Sequence, residues 1–214
     1  MEVRELGRVG YEEALSLQAE LVARRRTGEL PDQLLLLEHP HVITMGSSSQ
    51  GDHILLSPEE RETRGIGLFE VGRGGDVTYH GPGQLVGYPI LSLTPHRKDL
   101  HRYLRDLEEV LLLTLGHFGI SASREEGLTG VWAPQGKLAA IGVRVSSGWI
   151  TSHGFALNVH PDLSLFSTIV PCGIHDRSVS SMAEILGRSI SLEEVVSPLV
   201  RSFEEVFSMS SVVV

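Results

Sequence analysis

In Leu138-Ala-Ala-Ile-Gly-Val-Arg-Val-Ser-Ser-Gly-Trp-Ile-Thr-Ser-His-Gly-Phe-Ala-Leu-Asn158, two apolar runs flank the polar turn Ser146-Ser147-Gly148. Leu138–Val145 and Trp149–Asn158 are predicted strands, and so tight a connection makes them antiparallel neighbours. A doubly wound parallel sheet places a helix between successive strands, so this hairpin argues against one.

Working outward, Gly130–Ala133 adds a strand. Before it, Lys98 to Phe118 is the longest amphipathic segment, with Leu100, Leu104, Leu107, Leu111 and Leu115 on one stripe and Gly119 as its stop. Leu68–Val71, Val77–Tyr79 and Leu85–Leu93 predict strands around the glycine cluster Gly72, Gly74 and Gly75. Gln33–Glu38 and Val42–Met45 read as short buried strands broken by His39-Pro40, and Ser57-Pro58-Glu59-Glu60 opens a short helix. Tyr11 to Arg26 has helical spacing, with Tyr11, Ala14, Leu15, Gln18, Leu21 and Val22 on one face. Downstream, Phe166 to Ile174 reads as irregular. Met182–Leu186 and Leu192–Phe207 close the chain as helices, the second opened by Ser191 with Glu194 three residues on. The order is helix, strands, long helix, strands, helices. It predicts an α/β chain of the α+β type, residues 1–214 as one domain, with helices packed on a mixed sheet.

Composition narrows the function. The chain has 214 residues, 41% of them apolar and 21% charged, enough for a core without disulfides. One cysteine excludes a disulfide framework and a multi-cysteine zinc site. The longest purely apolar stretches, such as Leu34–Leu37, are too short to span a bilayer, and the N-terminus lacks a signal-peptide pattern, so a cytoplasmic protein without membrane association is expected. The net charge of -9 argues against nucleic-acid binding. The densest basic run, Arg24-Arg25-Arg26, is a candidate dock for an acidic partner or a plain helix end complementing the dipole.

Four segments carry possible chemistry. Arg73-Gly-Gly-Asp-Val-Thr-Tyr-His-Gly-Pro-Gly-Gln84 is glycine-rich, which permits positive φ and close ligand approach, yet it is neither a Walker loop nor a dinucleotide fingerprint. Lys137 heads an apolar strand in a chain with 16 arginines and two lysines; an amine can lose its proton when desolvated, and a guanidinium cannot. Cys172, the lone cysteine, lies between Pro171 and Gly173 in an expected turn. A reactive thiolate needs a cation beside it, and Lys137, His80 and His153 are all candidates. Ser152 and His153 invite comparison with a serine hydrolase, but no Gly-x-Ser-x-Gly elbow exists. His39 and His41 read as loop residues.

Together these segments resemble the lipoyl(octanoyl) transferases, the octanoyl-[acyl-carrier-protein]:protein transferases of lipoate biosynthesis. The resemblance runs through most of the chain: Glu38-His-Pro, Thr44-Met-Gly46, Arg73 to Gln84 with Gly87-Tyr-Pro-Ile90, Leu128-Thr-Gly-Val-Trp132, Lys137 to Val145, Ser152 to Asn158 and Pro171-Cys-Gly-Ile174. It departs after Met45-Gly46, where the family carries an arginine-containing turn and this chain has Ser47-Ser48-Ser49.

The resemblance implies a mixed, largely antiparallel sheet flanked by helices, like the catalytic domain of biotin and lipoate ligases. It implies Cys172 as nucleophile and acyl-thioester site with Lys137 as its partner. It also implies three substrate-binding stretches: Arg73, Gly74, Gly75, Asp76, Val77, Thr78, Tyr79 and His80; Ala140, Ile141 and Gly142; and Gly154, Phe155 and Ala156. The expected donor is an octanoyl-acyl carrier protein. The expected acceptors are lipoyl domains of 2-oxoacid dehydrogenases and the glycine cleavage H protein. No cofactor or metal is expected, and a monomer is. An ATP-dependent ligase on the same fold would activate a free acid and would not need Cys172; a non-enzymatic carrier-binding module would form no acyl-enzyme.

Overall fold

The computed structural model describes residues 1–49, 51–95, 97–170 and 178–214. Its elements run β1 (Glu2–Arg8), α1 (Tyr11–Arg26), β2 (Gln33–Glu38), β3 (Val42–Met45), α2 (Pro58–Thr63), β4 (Gly67–Glu70), β5 (Val77–His80) and β6 (Gln84–Ile90). They continue with α3 (Leu100–His117), β7 (Val131–Ala133), β8 (Gly136–Ser146), β9 (Ile150–Asn158), α4 (Met182–Leu186), α5 (Leu192–Phe207) and β10 (Val212–Val213). Short 3₁₀ turns cover Gly51–His53 and Leu163–Thr168.

The hairpin forms as its sequence predicts: β8 and β9 pair antiparallel from Ala139↔Leu157 to Ser146↔Ile150. Around it grows a seven-stranded sheet in the order β10-β1-β2-β6-β9-β8-β7. Only the β1 pairings with β10 and β2 are parallel in that sheet. The expected mixed sheet forms, and a second, smaller one stands beside it. Strands β3, β4 and β5 form a separate three-stranded sheet, with β3 parallel to β4 and antiparallel to β5. The Pro40 break lets the chain leave the large sheet after β2, since proline ends one run and presets the turn that opens the next.

Each face of the large sheet has its own core. Helices α3 and α5 cover one face through Leu107, Leu111, Leu115, Leu199 and Phe203. Helix α1 covers the other with Ala14, Leu21 and Val22 against Leu35, Val86 and Tyr88. The α1 face is the one its spacing predicts, except that Leu15 is only half-buried. Leu100, placed on the buried α3 stripe by its spacing, is 42% exposed; it is the first residue of α3 and lines the cavity described below. Strand β1 escapes a pattern reading because charges interrupt it and Val3 is its one buried residue. The segment expected to be irregular from Phe166 includes the last residues of the Leu163–Thr168 turn, while 171–174 lie outside the described residues. Among the described residues no helix is long and apolar enough to cross a membrane.

Candidate active site

A cavity of about 540 Å³ opens where β8, β9 and the glycine-rich segment meet, within the size range of small-molecule sites. Its floor follows from residue size. Opposite one another in the β8–β9 ladder stand Gly142 and Gly154, and next to them Ala140 and Ala156. Side chains of directly paired residues share a face, so these pairs leave a strip of sheet almost bare. Gly154 also has no room for more: a Cβ there would lie 2.1 Å from the Gly87 carbonyl oxygen.

The glycine-rich segment forms one wall. Arg73 is 7% exposed, and its guanidinium donates to the Thr44 carbonyl and hydroxyl (both 2.8 Å) and to the Gly74 carbonyl (3.1 Å). Gly74 N–H bonds to Val143 O on β8 (2.9 Å), tying the segment to the floor. Ser47 and Ser48 donate their backbone N–H groups to Arg73 O and Gly75 O. They therefore brace the wall through their main chain, and Ser48 reaches the cavity.

Lys137, the second residue of β8, lines the cavity with its ammonium 5.0 Å from the Trp132 ring centroid. Its side chain lies along Gly130, where a Cβ would meet Lys137 Cε at 2.8 Å. The Lys137 backbone is held by Ser178 and Ser180: its N–H donates to Ser178 O (2.9 Å), and Ser180 N–H donates to its carbonyl (3.0 Å). On the other flank, Val170 N–H donates to His53 O (2.8 Å), and His53 lines the cavity while its Nδ1 pairs with Asp76 (2.6 Å). Cys172, Pro171 and Gly173 lie outside the described residues.

The other expected residues gather here. Arg73 to Thr78, His80, Ala140 to Gly142 and Gly154 to Ala156 all line the cavity. Tyr79 does not: it packs in the small sheet's core, against Phe166, with its hydroxyl 2.6 Å from His41 Nδ1. His153 lines the cavity as well, with a left-handed φ of 56° and its backbone N–H donating to Gln18 of α1.

Burial decides the charge of the two histidines. Desolvation, then the neighbouring His39, pushes His80 down to about 3. Desolvation, then Arg73 and Arg144, pushes His153 down to about 4. Both rings are neutral near pH 7, so neither supplies the cation a thiolate needs. Burial also raises the Tyr11 phenol to about 12.

Some lining residues stand in segments that the sequence marks, though nothing local assigns them to a site. Tyr11 enters from the first turn of α1, Tyr88 from β6, and Leu104 and Leu128 from α3 and the stretch before β7. Tyr88 sits inside the Gly87–Ile90 block, but only the β6–β9 pairing puts it beside the floor. His39 is a connecting residue as expected, yet it is fully buried, bonded to Val9 O and to the Tyr88 hydroxyl (both 2.8 Å). The Arg24-Arg25-Arg26 run stands at the far end of α1 from Tyr11, roughly 20 Å away at the helical rise. Arg24 pairs with Glu20 and Glu29, Arg25 with Asp32, and Arg26 bonds to Ser146 Oγ. These are the contacts of a helix end tied to its own surface.

Known proteins align along nearly all of the chain. The lipoyl protein ligase A/B catalytic domain model matches residues 10–204. An octanoyltransferase of Chloroflexus aurantiacus is 49% identical over 209 residues, covering 97% of this chain and 94% of that protein. An octanoyltransferase of Solibacter usitatus is 52% identical over 205 residues, covering 96% and 92%. A bi-partite lipoate protein ligase from Thermoplasma acidophilum, studied with its E2 lipoyl domain, superposes with a TM-score of 0.74 at 18% identity, over 100% of this chain and 86% of that one. A biotin protein ligase from Aquifex aeolicus in complex with biotin and ATP gives 0.59 at 15% identity, over 97% and 70%. At these identities the two ligases share the fold: a mixed sheet flanked by helices.

Proposed function

Since the chain belongs to the lipoyl protein ligase A/B catalytic domain family, we propose that it is an acyltransferase of protein lipoylation. It takes an octanoyl or lipoyl group from an acyl-carrier-protein thioester and passes it to a lysine of a lipoyl domain through a thioester on Cys172. Lipoyl domains of 2-oxoacid dehydrogenases and the glycine cleavage H protein are the acceptors. The chain acts as one catalytic domain, residues 1–214, as a cytoplasmic monomer. The observation that carries this reading is local: the described residues on either side of Cys172 are tied to residues lining one cavity, Val170 to His53 and Ser178 to Lys137.

The chemistry suits what lines that cavity. With His80 and His153 neutral, Lys137 is the amine that favours a thiolate as an ammonium. The thiolate attacks the octanoyl thioester, the bond from the carbonyl carbon to the carrier sulfur breaks, and the Lys137 ammonium protonates the departing carrier thiolate, so the acyl group moves from one sulfur to another at little free-energy cost and Lys137 is left neutral. The acceptor lysine then attacks the enzyme thioester. Its nitrogen bonds to the carbonyl carbon, the carbon–sulfur bond breaks with its electron pair on Cys172 sulfur, and the neutral Lys137 amine takes the proton, restoring the ammonium–thiolate pair. The bare Gly142–Gly154 and Ala140–Ala156 strip suits an unbranched chain, whose burial contributes about 0.8 kcal/mol per CH₂.

Intact mass after incubation with octanoyl-carrier, without ATP, tests the reading. The expected result is one octanoyl adduct, absent from Cys172→Ala and discharged by a lipoyl domain. Transfer that requires ATP, or that survives Cys172→Ala, overturns it.

A further inference from the structure

A line of buried amides runs from beneath Lys137 to His80, and its hydrogen bonds permit one orientation. Asn158, 4% exposed at the end of β9, donates from Nδ2 to the carbonyls of Ser180 (3.1 Å) and Lys137 (3.4 Å). Carbonyl oxygens only accept, so the Asn158 nitrogen must face them and Oδ1 must face away. Oδ1 accepts from Gln84 Nε2 at 2.9 Å, and that same nitrogen reaches the Tyr79 carbonyl. With Gln84 Nε2 fixed, its Oε1 faces His80 Nδ1 at 2.7 Å. An amide oxygen cannot donate, so the imidazole proton sits on Nδ1 and Nε2 carries a lone pair.

His80 lines the cavity, and among the described residues none hydrogen-bonds its Nε2. Burial keeps the ring neutral, with His39 adding to it and the Gln84 bond opposing it. Tyr11 of α1 stacks on it at 6.2 Å, and His39, itself held neutral by burial, meets it edge-on at 5.9 Å. Arg73 and His153 lower its proton affinity further.

We propose that His80 Nε2 accepts an N–H of the incoming lysine amine, with Gln84 and Asn158 as positioning residues that hold the ring in this tautomer. This rests on the acyl-transfer reading above. The reacting end of an octanoyl thioester has no N–H or O–H, and a lone pair would repel its developing oxyanion. The amine is the partner that brings a donor. As its nitrogen bonds to the carbonyl carbon it becomes positive, and the N–H···Nε2 bond strengthens at that moment, where it lowers the barrier. The carbon–sulfur bond then breaks with its electron pair on sulfur. The neutral Lys137 amine takes the departing proton, restoring the ammonium–thiolate pair; His80 is too weak a base to keep it.

Nitrogen-15 NMR of histidine-labelled protein at pH 7, with His80 assigned from the His80→Gln spectrum, reads the tautomer without any substrate. The expected signal is an unprotonated Nε2 and a protonated Nδ1; the opposite tautomer or an imidazolium overturns the proposal. Gln84→Met should move the signal toward Nε2–H and slow transfer, and an unchanged signal and rate would remove Gln84 from the positioning role. Single-turnover assays then separate the half-reactions, with octanoyl-carrier as donor and a lipoyl domain as acceptor. His80→Phe should slow transfer to the amine at least 30-fold more than it slows acyl-enzyme formation, and His80→Gln, which restores an acceptor, should recover much of that loss. Equal slowing of both steps, or a larger effect on acylation, would assign the lone pair to the donor thioester and overturn the proposal. If the wild-type protein itself forms no acyl-enzyme, the acyl-transfer reading fails instead, and the tautomer result stands apart from it.

Discussion

Replacing Glu108 by alanine should unfasten one wall of the cavity and cost the chain about 2–4 kcal/mol, from the following contacts. The Glu108 side chain is 1% exposed on α3. Its Oε1 accepts the buried Gly130 N–H at 3.2 Å, and its Oε2 accepts from Arg105 (2.6 Å) and Arg124 (3.1 Å). The bond from a buried N–H to a carboxylate contributes about 1.5–3 kcal/mol, and its loss strands the donor. The arginines are 54% and 35% exposed, so water screens them, and together they add no more than about 1 kcal/mol. Residues 127–129, which line the cavity just before Gly130, lose their anchor at the same time. Urea unfolding at pH 7 measures the stability. Single-turnover acylation across octanoyl-carrier concentrations measures the site, where a several-fold weaker apparent affinity is expected. Glu108→Gln keeps an acceptor for Gly130 and should lose about half as much as Glu108→Ala. A Glu108→Ala midpoint within about 0.5 kcal/mol of wild type at unchanged slope would refute the assignment of this carboxylate as the anchor.

Three further outcomes are expected. Unfolded imidazoles titrate near 6.5 while folded His80 and His153 lie near 3 and 4, so between pH 6.5 and 4 the unfolded chain binds more protons. Stability should therefore rise with pH through that window, by up to about 1.4 kcal/mol per pH unit for each ring; urea midpoints at pH 7, 6 and 5 check this, and a His80→Gln, His153→Gln variant with the same slope as wild type would contradict it. Gly154→Ala places a Cβ 2.1 Å from Gly87 O and 2.6 Å from Pro89 Cδ, a backbone oxygen and a ring carbon that cannot swing away. It should destabilise the sheet centre by about 3 kcal/mol, seen as a lowered thermal midpoint. Ser191→Ala removes the capping box that opens α5 and should cost about 1 kcal/mol, a fall of roughly 2–4 °C in Tm by calorimetry.

Local chemistry alone determined much of this protein. Ser146-Ser147-Gly148 sets the β8–β9 hairpin because a turn joins only strands that lie side by side, and the Ser191 and Ser57 caps start their helices because the orphan N–H groups lie within one turn. The small residues of the floor and the rare Lys137 stand out in the sequence for what they are. Their meeting in one cavity is a tertiary matter. Gly142 faces Gly154, and Ala140 faces Ala156, only through the register of the hairpin, and Tyr11 and Tyr88 join them through helix docking and strand order. Whether His80 and His153 carry charge was open in the sequence, since an imidazole near 6.5 takes its state from its surroundings. Burial settles both as neutral, and the Asn158–Gln84 line settles which nitrogen of His80 holds the proton. That line joins residues 80, 84, 137, 158 and 180. No local pattern links positions so far apart in the chain, and only packing brings their donors and acceptors within bonding distance.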